Sequence, residues 1–74
     1  MRNWLISLRN EKGLPQGAVS KKLNVSQAFY CRVEQGKKVH NMTYLMMEKL
    51  ATALEVPVQT IIDAEKEYAA SIHR

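Results

Sequence analysis

A length of 74 residues, a single cysteine and a net charge of +4 confine the protein to one small, basic domain without an intrachain disulfide. The apolar runs are too short for a membrane span or a signal peptide, and no Cys/His cluster has zinc-ligand spacing, so we expect a cytoplasmic protein with no metal, cofactor, membrane or evident small-molecule ligand. The charge is uneven, with a net +6 in residues 1–40 and a net −2 in residues 41–74, which favours a polyanion partner but leaves open a basic protein without one.

Helical periodicity dominates the chain and predicts an all-α fold, a compact bundle of about five short helices. The first helix spans about residues 3–12 and ends at Gly13, because glycine readily adopts the left-handed conformation that closes a helix. The second spans about residues 16–23 and is followed by Asn24, which also tolerates that conformation. A tight turn between the second and third helices is therefore expected.

The third helix begins after Ser26, a good N-cap, continues to about Gln35 and ends at Gly36. A rotation of about 100° per residue divides its side chains between two faces. The face predicted to pack carries Phe29, Tyr30 and Val33, and the face predicted to point outward carries Gln27, Ala28, Cys31, Arg32 and Gln35.

The fourth helix is capped by Asn41 or Thr43 and has a broad apolar stripe between Tyr44 and Leu54. Pro57 is tolerated in the first turn of a fifth helix, which extends further than a small core needs. No internal repeat, low-complexity segment or interdomain linker interrupts the chain.

Two short helices joined by a tight turn, the second with small and amide side chains outward, are typical of helix-turn-helix DNA readers. From Trp4 to about Ile62 the chain resembles the Cro/repressor-type (XRE) helix-turn-helix domains of bacterial and phage regulators. The residues that carry the resemblance are LRNEKGLPQ (8–16), KKLNVSQ (21–27), RVEQGKK (32–38) and LATALEVP (50–57). The resemblance implies a domain over residues 1–62, with its helix-turn-helix at 16–35 and a C-terminal helical extension at 63–74.

The resemblance implies a sequence-specific transcriptional regulator, a repressor that places its third helix in the major groove of a palindromic double-stranded operator. Amide and guanidinium groups suit this role, since they are the donors that read purine edges there. The residues expected to read bases are Gln27 through adenine, Ala28 through a thymine methyl group and Arg32 through guanine. The alternative is that Gln27 and Arg32 only solvate an exposed face.

Phosphate contacts are expected beside this helix. Gln16 opens the second helix, where free backbone N–H groups also favour an anion, and a lysine pair follows the third helix, with a solvated loop as the alternative. The expected phosphate contacts are Gln16, Ser26, Lys37, Lys38 and Asn41. The resemblance also implies a structural ion pair of Arg9 and Glu34, which fixes the angle of the third helix.

Two parts of the chain depart from the family pattern. Pro15 replaces the usual Ser or Thr cap of the second helix, and Gly17 and Ala18 replace acidic residues, so we expect a frayed start. Phe29 and Tyr30 form a bulkier pair than is common in the third helix. Core packing is the interpretation for both rings, and a position at the groove edge is the alternative.

One helix-turn-helix reads too few base pairs to define a genomic site, so we expect a homodimer. Its interface is predicted on a stripe of the last helix, and the alternative is that this helix folds back on its own domain. The stripe contains Ile61, Ile62, Glu65, Tyr68, Ala69 and Ile72. An antitoxin or another protein-interaction module with the same fold is the alternative function. No enzyme is expected, because the sequence shows no nucleophile–base set, metal site or phosphate-binding glycine loop.

Overall fold

The computed structural model describes residues 1–36 and 42–72 of the chain. Within these residues five α-helices follow one another and no strand is present. They are α1 (Asn3–Glu11), α2 (Gln16–Leu23), α3 (Gln27–Gln35), α4 (Tyr44–Leu54) and α5 (Val58–Ile72). The prediction of an all-α bundle of about five short helices is therefore confirmed.

The turns between the helices use left-handed residues. Gly13, Asn24 and Gly36 have φ angles of +66°, +60° and +73°, as the sequence predicts. Glu55 adopts the same conformation at the end of α4, with φ +56°. Glutamate has no particular preference for this region, so the short connection between α4 and α5 imposes it.

Side-chain caps fix the starts of α3 and α4. Ser26 Oγ accepts a hydrogen bond from the Phe29 backbone N–H at 3.1 Å, and Thr43 Oγ1 accepts one from Met46 N–H at 3.2 Å. In contrast, α2 follows Pro15 without a side-chain cap hydrogen bond, as expected from its sequence. The recognition helix candidate α3 therefore has a better defined start than the helix that precedes it.

The core lies where α4 packs against α2 and α5, and where α3 packs against α1 and α2. Apolar residues from all five helices and Met42 fill it, so burial of these side chains is the main force that holds the bundle. The buried apolar residues are Leu5, Val19, Leu23, Tyr30, Val33, Met42, Leu50, Ala51, Ala53, Leu54 and Ile61.

Three large apolar side chains that were expected to pack are instead exposed. Phe29 in α3 is 36% exposed, whereas its neighbour Tyr30 is completely buried. Tyr44 and Leu45, in the first turn of α4, are 53% and 63% exposed. Successive residues of a helix point about 100° apart, so an unbroken apolar run cannot lie wholly on the packed face.

Part of the predicted dimerisation stripe lies inside the domain, because α5 folds back on it. Ile61 and Glu65 are buried, and in this conformation neither is available to a second chain, which corrects the expectation for these two residues. The half-buried members of the stripe are Ile62, Tyr68 and Ala69. The side chain of Ile72 lies outside the described part. The boundary predicted after residue 62 falls within α5, which is one continuous helix.

Candidate nucleic-acid interface

The outward side of α3 is open to solvent over its first two turns. Gln27, Ala28 and Arg32 are all exposed. Among the described residues Arg32 has no ion-pair partner, because the two ion pairs present there use other arginines. Cys31 and Gln35, which were assigned to the same face, are half-buried. The three residues expected to read bases therefore share one accessible surface.

Phe29 extends this surface with an aromatic ring. Tyr30 and Val33 occupy the buried side of α3, and the Phe29 ring lies beside it rather than within it. A partly exposed ring next to a small residue such as Ala28 provides an apolar contact area. Of the two interpretations for the aromatic pair, packing holds for Tyr30 and an exposed position holds for Phe29.

The start of α2 accommodates the side chain of Gln27. A Cβ atom placed on Gly17 would lie 3.3 Å from Gln27 Oε1, which is tighter than an ordinary contact. Gly17, the residue that departs from the family pattern, therefore leaves room for Gln27 to lie against α2. This contact links the first turns of the two helices of the motif.

A hydrogen-bonded group holds the C-terminal half of α3 against α1 and α2. Arg9 Nε donates to Glu34 Oε2 at 2.6 Å, and Arg9 Nη1 donates to the Leu14 carbonyl at 3.0 Å. Gln16 Nε2 donates to Glu34 Oε1 at 2.8 Å. The structure thus contains the Arg9–Glu34 ion pair, and it directs one amide donor of Gln16 into the protein.

These contacts affect two titrating groups. Burial alone would raise the pKa of Glu34, but the hydrogen bonds from Arg9 and Gln16 outweigh it and hold the pKa below its ordinary value. Burial and the nearby Glu34 carboxylate raise the pKa of Tyr30. The Tyr30 hydroxyl makes no hydrogen bond of acceptable geometry to the described residues. Glu34 is accordingly a carboxylate at neutral pH and keeps its pairing with Arg9.

A fully buried arginine, which sequence reasoning missed, also lies at the C-terminal end of α3. Arg2 is completely buried and donates to both carboxylate oxygens of Glu65, at 2.9 and 2.8 Å. Its third side-chain donor, Nη1, reaches the Val33 carbonyl at 2.7 Å. One signal could have found it: Glu65 stands in an otherwise apolar stripe, and a buried carboxylate requires a cationic partner.

Three of the five expected phosphate contacts fall outside the described residues. These are Lys37, Lys38 and Asn41, whereas Ser26 is described and is exposed at the start of α3.

No group of three or more His, Cys, Asp or Glu in the described ranges could hold a metal ion. Over those same ranges, none of the helices combines the length and apolar character needed to traverse a bilayer.

Comparisons with known proteins identify the family. Searches of the curated proteins and of the solved structures give no significant match. The model of the helix-turn-helix family HTH_3 matches residues 5–61, which is most of the chain. This match includes most of α1, all of α2 to α4 with the exposed surface of α3, and the first turn of α5. The protein therefore belongs to the Cro/repressor-type (XRE) helix-turn-helix family, a family of DNA-binding regulatory domains.

Proposed function

We propose that the protein is a sequence-specific transcriptional repressor that binds a palindromic operator in double-stranded DNA as a homodimer. The observation that carries this proposal is the open face of α3 in a chain of this family. An α-helix fits the major groove, and α3 offers the groove an amide, a methyl group and a guanidinium on one side.

The reading roles follow from the chemistry of these side chains. Gln27, near the start of α3, pairs with adenine N6 and N7, and Arg32, one turn later, pairs with guanine O6 and N7. Ala28 contacts a thymine methyl group, and the exposed ring of Phe29 adds apolar area against a methyl group or a sugar. Such side chains discriminate well only if the helix is rigid, and the buried side of α3 provides that rigidity.

Phosphate contacts would orient the domain on the duplex. Ser26 and Gln16 stand at the first turns of α3 and α2, where free backbone N–H groups attract an anion. The Gln16 amide donates to Glu34 and also makes a long, weak contact of 4.0 Å to Cys31 Sγ, so a phosphate would replace the contact to the sulfur. Lys37, Lys38 and Asn41 complete the proposed set.

The proposed dimer uses the part of α5 that remains accessible. A shallow groove of about 230 Å³ lies between α4 and α5, and its lining includes the half-buried Ile62 and Ala69. Apolar residues at a groove with a charged rim are suited to a second copy of the chain. Two recognition helices related by a two-fold axis would then meet half-sites about one helical turn apart.

The decisive experiment is selection of bound sequences from a random duplex, with wild type and Arg32→Ala in parallel. We expect the wild type to select a palindrome. Arg32→Ala should relax the preference at one base pair per half-site, by about 1–3 kcal/mol, because it removes one bidentate base contact. Lys21→Ala is the matched control, since Lys21 is an exposed cation on α2.

The outcomes separate the roles of these residues. Lys21→Ala should retain the selected sequence. A uniform loss of affinity for all sequences with Arg32→Ala would make Arg32 a phosphate contact instead. A wild-type protein that selects no sequence would contradict the proposed function.

A further inference from the structure

We propose that α5 positions the recognition helix for base reading through Arg2, so that Arg2, Glu65 and Tyr68 are positioning residues for DNA recognition. The proposal rests on the proposed function, and it assigns part of the specificity to residues that lie outside the matched range 5–61. None of the three needs to touch DNA.

The first argument is the set of contacts that Arg2 makes. Its guanidinium binds both oxygens of Glu65 in α5 and the Val33 carbonyl in α3. Its backbone N–H also donates to the Glu34 carbonyl at 2.7 Å. Arg2 therefore ties two successive carbonyls at the end of α3 to one carboxylate of α5.

These carbonyls belong to the last turn of α3, where the Val33 carbonyl also accepts the long hydrogen bond from the Gly36 N–H, at 3.3 Å. The last four C=O groups of an α-helix lack regular intrahelical partners, so the last turn takes its geometry from whatever binds them. Arg2 supplies two donors there, and its positive charge suits the C-terminal end of the helix dipole. The planar guanidinium also fixes the directions of its hydrogen bonds, as a lysine would not.

Tyr68 provides a second contact between α5 and the end of α3. The Arg2 guanidinium carbon lies 4.8 Å from the centre of the Tyr68 ring, within the range of a cation–π interaction. The Tyr68 hydroxyl lies against Gly36, and a Cβ atom on Gly36 would overlap it. Glycine is therefore favoured at this position by the approach of Tyr68 as well as by its φ of +73°.

Two arginines therefore bind Glu34, one through its side chain and the other through its backbone carbonyl. The side chain of Glu34 binds Arg9 of α1, while its backbone carbonyl binds Arg2. A helix with two such anchors resists rotation about its axis, and rotation is the motion that would misalign Arg32 and Gln27 with base edges. Removal of the Arg2 anchor should thus reduce sequence discrimination more than general affinity for DNA.

The test compares Glu65→Gln with Glu67→Gln in the full chain. Both variants remove one carboxylate from α5, but Glu65 is buried against Arg2 whereas Glu67 is exposed. The first measurement needs no DNA: hydrogen exchange of the backbone amides by NMR. We expect Glu65→Gln to speed exchange in the last turn of α3 about tenfold relative to α4, and Glu67→Gln to leave the two helices unchanged.

The second measurement is the ratio of affinities for the selected operator and for a scrambled duplex. Glu65→Gln should lower this ratio about tenfold, equivalent to part of one bidentate base contact, and Glu67→Gln should not change it. An unchanged ratio for Glu65→Gln would overturn the proposal, even where exchange in α3 increases. A general loss of stability would lower both affinities together and leave the ratio intact.

The design separates this proposal from the proposed function. A wild-type chain that selects no operator would contradict the proposed function. Unchanged hydrogen exchange in α3 of the Glu65→Gln variant would independently overturn the proposed positioning role of Arg2. Where Glu65→Gln does not fold, Tyr68→Leu replaces it, with the exposed Tyr44→Leu as its control. The same decrease in the affinity ratio is expected for Tyr68→Leu alone, and its absence counts against the proposal.

Discussion

Two arginine–glutamate pairs flank α3, and they differ in how they are built. Arg9 and Glu34 belong to α1 and α3, with side chains 12% and 3% exposed. Arg2 and Glu65 connect the residue before α1 to α5, with side chains 0% and 7% exposed. One pair joins two helices of the matched range 5–61, whereas the other joins two segments that lie outside that range. Both carboxylates are buried, so the burial of each arginine and the donors that remain to each carboxylate should decide their energetic weights.

The difference suggests that the two pairs have different consequences when they are broken. Glu34 has a second donor in Gln16 if Arg9 is lost, at 2.8 Å. For Glu65, the hydrogen bonds found among the described residues all come from Arg2. A buried carboxylate without a partner is strongly unfavourable, whereas one that keeps a hydrogen-bond donor is less so.

The largest effect is expected for Arg2→Met. The substitution leaves the Glu65 carboxylate buried and uncompensated, so the free energy of unfolding should fall by about 3–5 kcal/mol. Urea denaturation followed by circular dichroism measures this loss. The double variant Arg2→Met with Glu65→Met should recover most of it, because the unpaired charge is gone. A double variant no more stable than Arg2→Met would show that the unpaired Glu65 carboxylate is not the cause of the loss.

A smaller effect is expected for Arg9→Met. This change removes the hydrogen bonds to Glu34 and to the Leu14 carbonyl, and the free energy of unfolding should fall by about 1.5–3 kcal/mol. The same urea measurement gives the comparison directly. A loss larger than that of Arg2→Met would reverse the ranking and show that neither the burial of the arginine nor the second donor to Glu34 sets it.

The smallest effect is expected in acid and concerns Glu34 alone. Its pKa is lowered in the folded protein from an ordinary value of 4.5, so the unfolded chain binds the proton more readily. The stabilisation is therefore complete above that value and is lost as the pH falls through the folded pKa. Between about pH 6 and pH 3, urea midpoints should fall more steeply for wild type than for Glu34→Gln. Glu67→Gln controls for the lost charge, and parallel curves for wild type and Glu34→Gln would contradict the assignment.

Much of the fold follows from local signals in the sequence. The helix ends at Gly13, Asn24 and Gly36 were predicted because few residues tolerate a positive φ, and the Ser26 cap because its hydroxyl suits the first turn of a helix. The Arg9–Glu34 pair was expected from the resemblance to a family, not from local physics. Such features depend on residues close in sequence or on a known arrangement of helices.

The unexpected features depend on contacts between distant segments. Arg2 and Glu65 are 63 residues apart, and nothing local indicates that they meet. The exposure of Phe29 depends on which of two adjacent rings the packed helices can enclose. The left-handed Glu55 likewise reflects the path between α4 and α5 rather than its side chain. Helical periodicity alone does not determine these outcomes, because they are set by tertiary packing.

The Arg2–Glu65 pair has a consequence for anyone who transplants this motif into another scaffold. A fragment cut at the edges of the family match, residues 5–61, would omit both partners of the pair and the Tyr68 ring. This fragment would contain every residue of the exposed face of α3. It would lack Arg2, which binds the Val33 and Glu34 carbonyls. If Arg2 acts as proposed, a chimaera that keeps sequence discrimination should include residues 2–68 rather than the matched range 5–61 alone.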